Sequence, residues 1–217
     1  MSDTPIKKLM EEVIEHCRDA NLFEESKKAK DEYFSPYGIP DSEDLSFASQ
    51  MDTYLNWYLI DRRLHSLGIT PLEHFSEHAG SIHENSKWQM VHNLYNSILS
   101  LFIVTHVSKD QFRVVDIFKN KKYTIMESEC LFSFEKDTIF EGRIVKEENQ
   151  YVILKGVLFY PSVVLDYIKK KMKTGMTDHS LFMRELAAKK IRAERYKIPD
   201  IMAIYEKDIF ISDKSRR

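Results

Sequence analysis

Along the first hundred positions apolar residues recur at three- and four-residue spacing, whereas over the next sixty they alternate or run on, so helical territory gives way to strand territory. Thr4 and Pro5 make a cap followed by a first-turn proline, and Ile6, Leu9, Met10, Val13, Ile14 and Cys17 then fall on one helical face. A second, shorter helix is predicted from Phe23 to Tyr33. Ser35, Pro36, Gly38, Pro40 and Asp41 break it and form the candidate linker. Asp41 or Ser42 can cap a third helix, whose wide apolar face runs through Leu45, Phe47, Met51, Tyr54, Leu55, Tyr58, Leu59 and Leu64 and ends at Gly68. Thr70 and Pro71 repeat the cap signal for a short helix through His78, stopped by Gly80. Ser86 opens another that carries Trp88, Val91, Leu94, Tyr95 and Ile98.

From Leu101 the texture changes to β-branched and aromatic runs, LFIVTHV, FRVVDIF, KYTIME, TIFEGRIV and YVILKGVLFY, separated by polar turns at Lys109-Asp110, Lys119-Asn120-Lys121 and Glu147-Glu148-Asn149. Connections this short join antiparallel neighbours. They predict a small antiparallel sheet or partly open barrel of about five strands, spanning roughly residues 101–160. Pro161 then starts a helix, SVVLDYIKKKMK, broken by Thr174, Gly175 and Asp178. Two terminal helices follow, with Pro199 between them. The expected class is α+β: N-terminal helices and linker at 1–40, a helix-braced core at 41–173, and a basic helical tail at 174–217.

Composition narrows this picture. With 43% hydrophobic residues, 13 Phe, 11 Tyr and only six Gly and six Pro in 217 residues, most of the chain belongs in packed elements. Apolar stretches such as Ile98 to Val107 are shorter than the ~20 residues a membrane span needs. The acidic, amphipathic start lacks the features of a secretory signal, so a cytoplasmic protein is expected. Cys17 and Cys130 have no CxxC spacing and read as reduced, packed thiols. Charge is uneven: residues 1–50 carry 12 acidic and 6 basic side chains, residues 169–217 carry 14 basic and 7 acidic. The basic end is either a solvated helical face or a phosphate-binding surface.

The block MDTYLNWYLIDRRLHSLGITPLEHF, the run SLFIVTHVSKDQFRVVDIFKNKKYTI, and the pairing of KDTIFEGRIV with YVILKG give residues 50–160 a resemblance. They resemble a domain of uncharacterised bacterial proteins, many of which end in the short cysteine-rich zinc-binding SEC-C motif. That motif is absent here, and a basic helical tail takes its place. The resemblance implies a bacterial cytoplasmic protein and names no activity.

Candidate chemistry is sparse. His74 to His78 spell HxxEH, two imidazoles one helical turn apart with Glu77 between them, which is the ligand arrangement of an inverted zinc-protease helix. His74 and His78 are the candidate metal ligands, although the predicted helix is two turns long and no third ligand is evident. Arg62 and Arg63 are a candidate anion site, or else a salt bridge to another helix. Lys169, Lys170, Lys171, Lys173, Lys189, Lys190, Arg192 and Arg195, with Tyr167 and Tyr196 beside them, could contact nucleic acid. Leu181, Phe182, Leu186 and Ile191 form an apolar stripe that needs a partner surface. There is no GxSxG, Gly-rich phosphate loop or dinucleotide fingerprint, so no catalytic residue and no cofactor is assigned. The expectation is a non-enzymatic binding or regulatory protein acting through protein contacts, with another protein or a second copy as partner. The alternatives are nucleic-acid binding through the basic tail and a metal-dependent hydrolase built on HxxEH.

Overall fold

In the computed structural model the described residues are 4–35, 38–78, 85–126, 133–196 and 201–206. Pro36, Gly80, Cys130 and Pro199, singled out above, lie outside them.

Local signals decide where the N-terminal helices begin. Helix α1 (Pro5–Asp19) is capped by the Thr4 hydroxyl, which accepts from the Lys7 amide at 3.4 Å. Helix α2 spans Ser26–Phe34 and α3 spans Phe47–Ile60. α3 is shorter at both ends than the apolar pattern implies. Leu45, counted on that face, is 90% exposed, and Leu64 lies in a turn where its amide pairs with the Ile69 carbonyl. Helix α4 (Pro71–His78) opens on a reciprocal box: the Thr70 hydroxyl takes the Glu73 amide at 3.1 Å and the Glu73 carboxylate takes the Thr70 amide at 2.6 Å. Helix α5 spans Asn85–Tyr95, and Ile98, expected on its face, instead begins the first strand.

Six strands follow: β1 (Ile98–Val107), β2 (Gln111–Asp116), β3 (Lys122–Met126), β4 (Ile139–Glu147), β5 (Gln150–Ile153) and β6 (Leu158–Tyr160). All three predicted hairpin turns are present, and Asn120 and Glu148 supply their left-handed positions at φ 53°. The α+β class holds, and the sheet closes into a five-stranded barrel ordered β1-β2-β3-β5-β4, with β1 also paired to β4 and β6 added beyond β4. The last predicted strand run is two strands, β5 and β6. The expectation of purely antiparallel pairing fails at one seam, where β3 and β5 run parallel. They can do so because β4 intervenes between them in sequence and reverses the chain. A register shift between Val104 and His106 bends β1, letting one strand pair with β2 along one part and β4 along another.

Phe102, Val104, Phe112, Val114, Phe140 and Ile144 fill the barrel. Truncating one of these phenylalanines to Ala would cost about 3–5 kcal/mol. Two further cores cover its outside. One gathers α1 to α5 against Val145, Val152 and Leu154. The other packs α6 (Val164–Lys173), α7 (His179–Tyr196) and α8 (Ile201–Glu206) against Leu101, Ile139 and Leu158. Strand β4 is therefore buried on both faces. Glu141 and Arg143, which alternation alone would send to solvent, sit between the two helical layers. The Tyr160 hydroxyl donates to Glu141 at 2.9 Å, and Arg143 reaches Ser97 at 2.9 Å and Asp61. Burial pushes the Glu141 carboxyl up to about 7, against the opposing effect of the Tyr160 bond.

No helix among the described residues is long and apolar enough to cross a membrane.

Candidate functional site

The charged residues singled out from the sequence separate into those committed inside the chain and those left outside it. Arg62 is buried and meets two carboxylates of its own chain, Glu32 at 2.9 Å and Glu25 at 3.1 Å. Glu25 also accepts the amides of His65 and Ser66, at 2.9 and 3.0 Å. Desolvation would raise this carboxyl, but the two amides and the guanidinium outweigh it and hold the group near 2. Arg63 is exposed, donates to the Gly68 carbonyl at 2.7 Å and lies 3.5 Å from Glu73. The anions at these arginines are thus internal, and they tie the α3–α4 turn to α2.

Much of the basic tail is also engaged. Lys189 is buried and donates to the Tyr205 carbonyl at 2.6 Å and the Tyr167 hydroxyl at 3.0 Å, with Glu185 at 3.0 Å. Lys190 pairs with Glu194 at 2.8 Å, and Glu194 in turn accepts both the amide and the hydroxyl of Ser46, the residue before α3. Arg195 grips both oxygens of Asp44, at 2.7 and 2.6 Å, and this pairing holds the Asp44 carboxyl below the usual carboxylate range. Lys171 lies over the Tyr167 ring, while Lys169, Lys170 and Lys173 are exposed on α6 and Arg192 is half-buried on α7. In the apolar stripe, Phe182, Leu186 and Ile191 are buried within the chain and only Leu181 stays out, 43% exposed. The partner that the stripe needs is mostly this molecule itself.

His74 and His78 stack with ring centroids 4.0 Å apart, and His16 of α1 joins them, its Nε2 lying 2.9 Å from His74 Nδ1. Desolvation first, and then the neighbouring imidazoles, lower the pKa of both His16 and His74. Among the described residues no group of three or more ligand side chains is arranged to hold one metal ion, so HxxEH lacks the completed coordination sphere of a zinc protease.

A different set of cations faces outward from the barrel. The β1–β3 segment, residues 105–126, contains Lys109, Arg113, Lys119, Lys121 and Lys122 against Asp110 and Asp116, and Asp116 is fully buried. Strand alternation turns Phe112, Val114 and Ile125 inward and leaves Arg113, Lys122 and Thr124 on the outer face. Arg113 is paired with Thr124 on one side and His106 on the other. Thr105, His106, Arg113, Lys122, Tyr123 and Thr124 line a shallow hollow of about 410 Å³. Among the described residues no carboxylate is bonded to Arg113 or Lys122, whereas Lys189, Lys190 and Arg195 each have one. Lys121 covers the Tyr123 ring at 5.6 Å.

The sequence reading missed this face because its cations are scattered singly through apolar strands. The signal that could have found it is the alternation Phe112-Arg113-Val114 beside the turn Lys119-Asn120-Lys121-Lys122, read as one outward row.

The model of a family described as a family of unknown function (DUF7986) matches residues 4–188. That agrees with the uncharacterised nature of the domain resembled by residues 50–160 and carries no link to the SEC-C motif. No curated protein and no solved structure matches the chain.

Proposed function

The chain belongs to this family of unknown function, and since membership brings no activity with it, we propose from the site alone that the protein is a non-catalytic binding module whose barrel takes single-stranded nucleic acid across the β2–β3 face. The observation that carries this is the pair Arg113 and Lys122, bordering the hollow without a carboxylate partner among the described residues. A guanidinium and an ammonium held on adjacent strands keep their full attraction for phosphate, since no internal anion has to be displaced first.

Connectivity supports the same face. A meander β1-β2-β3, a parallel β3/β5 pair and closure of β4 on β1 give the pairing order of an OB-type barrel, in which the strand 2–3 face and the adjoining loops receive oligonucleotides. This is an analogy of architecture, and the charges on the face give it chemical content. Strands of five and six residues span roughly 20 Å. That suits a short site of about four nucleotides, at the small end for such barrels.

The test is fluorescence anisotropy with a labelled 12-nucleotide homopolymer over a salt series. Three phosphate contacts, from Arg113, Lys121 and Lys122, give a slope of log K on log salt of about −2. Changing both Arg113 and Lys122 to Ala should flatten the slope to about −0.7 and weaken binding more than tenfold at low salt. Changing Lys169, Lys170 and Lys173 to Ala should leave both unchanged. Binding that follows the α6 lysines instead would transfer the function to the tail, and no binding at 50 mM salt would end the proposal.

A second reading keeps the protein contact expected from the sequence and moves it from α7 to α5, where Trp88 is 54% and Tyr95 36% exposed. If two copies meet there, Trp88→Glu lowers the native mass to that of a monomer.

A further inference from the structure

We infer that the barrel face selects ribose over deoxyribose, and that Thr105 is the residue that makes the choice, by accepting a hydrogen bond from a 2′-hydroxyl. This rests on the reading of the face as a single-strand site and names its ligand as RNA.

The backbone sets Thr105 apart. Val104 pairs with Val114 and His106 with Arg113, so Thr105 is the extra residue of a bulge, without a partner of its own across the β1/β2 ladder. A bulge re-aims the side chain it carries. Thr105 is exposed and borders the same hollow as Arg113 and Lys122. Its hydroxyl donates to the Arg113 carbonyl at 3.1 Å.

That bond decides what the hydroxyl can receive. A hydroxyl has one proton and two lone pairs, and a carbonyl only accepts. The proton of Thr105 is therefore committed, and its oxygen offers lone pairs alone. A phosphate oxygen, which also only accepts, gains nothing there. A ribose 2′-OH donates, and deoxyribose has no such group. Arg113 and Lys122 are the reverse, donors without acceptors, and suit phosphate. The hollow thus sets one acceptor beside two cationic donors, the complement of a 2′-OH beside its phosphate. A nucleotide whose phosphate meets the guanidinium carries its sugar to the bulge.

The phenylalanines of the barrel point the same way. Phe102, Phe112, Phe134 and Phe140 are buried and packed on one another. The outer row of Thr105, Arg113, Lys122 and Thr124 therefore meets the strand with hydrogen-bonding groups, and sugar and phosphate are what such groups read.

The experiment compares a labelled oligouridylate with the oligodeoxyuridylate of the same length, by anisotropy on the full chain at low salt. The bases are identical, so only the 2′ position differs. RNA should bind about fivefold tighter, the worth of one neutral hydrogen bond. A 2′-fluoro strand, which keeps an RNA-like sugar pucker but has no proton to give, should fall to the deoxy level. Thr105→Val should abolish the preference and Thr105→Ser should retain it. Ser108→Ala, whose hydroxyl makes the same kind of bond to the Gln111 carbonyl outside the hollow, should keep the preference intact. Equal binding of the two strands, a fluoro strand that binds like RNA, or a preference that survives Thr105→Val would overturn the assignment while leaving the single-strand reading in place. Binding of neither strand would end that reading and the inference with it. The fluoro comparison needs no substitution, so it stands even if a variant folds poorly.

Discussion

Gly156 offers the sharpest test of how the N-terminal helices are fixed to the barrel. It lies between β5 and β6 at φ +92°, and its carbonyl accepts from the Thr53 hydroxyl of α3 at 3.0 Å, while the neighbouring Lys155 carbonyl accepts from Asn56 at 2.8 Å. A Cβ at this position would stand 2.7 Å from the Thr53 amide nitrogen, 2.9 Å from its hydroxyl and 3.0 Å from the Asp52 carbonyl carbon. Two of those atoms are backbone, so relief requires α3 itself to move. The left-handed conformation costs an alanine about 1–2 kcal/mol, and overpacking against a helix backbone adds about 1–3 kcal/mol. Gly156→Ala should therefore lose about 3–4 kcal/mol. For a chain of this size that lowers Tm by about 10 °C. Gly175, also left-handed at φ +85° but with nothing within 4 Å of its added Cβ, is the control. Gly175→Ala should lose only about 1 kcal/mol, or roughly 3 °C. Differential scanning calorimetry on the two variants decides the matter. Equal drops would mean that strain alone acts and that α3 is not closely seated. Rescue of Gly156→Ala by trimming Thr53 to Ala would likewise refute the reasoning, since the nearest clash is with backbone.

Two carboxylates, Glu25 half-buried and Glu141 fully buried, should titrate with opposite sign. Glu25 is held near 2 in the fold against 4.5 unperturbed, so its contribution is complete above pH 4.5 and disappears as pH falls towards 2. With allowance for its partial exposure this is about 2 kcal/mol, and Glu25→Gln should flatten the acid limb of a stability–pH curve measured by urea unfolding. Glu141 is raised to about 7, so its contribution is complete below pH 4.5 and lost as pH rises through 7. Glu141→Gln, which can still accept from Tyr160, should match the parent at pH 4 and exceed it by about 2 kcal/mol at pH 8; a parallel pair of curves would refute the assignment.

What the sequence determined by itself is local. The caps at Thr4 and Thr70 follow from a hydroxyl that must meet an amide three residues on, and the hairpin turns from residues that tolerate a left-handed backbone. Alternating and helical spacing were enough for the α+β class and for the order of elements, because each is set by neighbours a few residues apart. Tertiary structure decided what each charge and apolar stripe is for. Arg195 and Lys190 read as a free basic surface until Asp44, 151 residues away from Arg195, and the Glu194–Ser46 link came beside them. Phe182, Leu186 and Ile191 read as an interface until the barrel and its neighbouring helices covered them. Arg113 and Lys122, unremarkable in sequence, became the exposed basic face only when closure of β3 on β5 fixed which side of each strand was outside. Side-chain type and spacing state what a residue can bond; only the meeting of distant segments determines whether that bond is already made within the chain or left for a ligand.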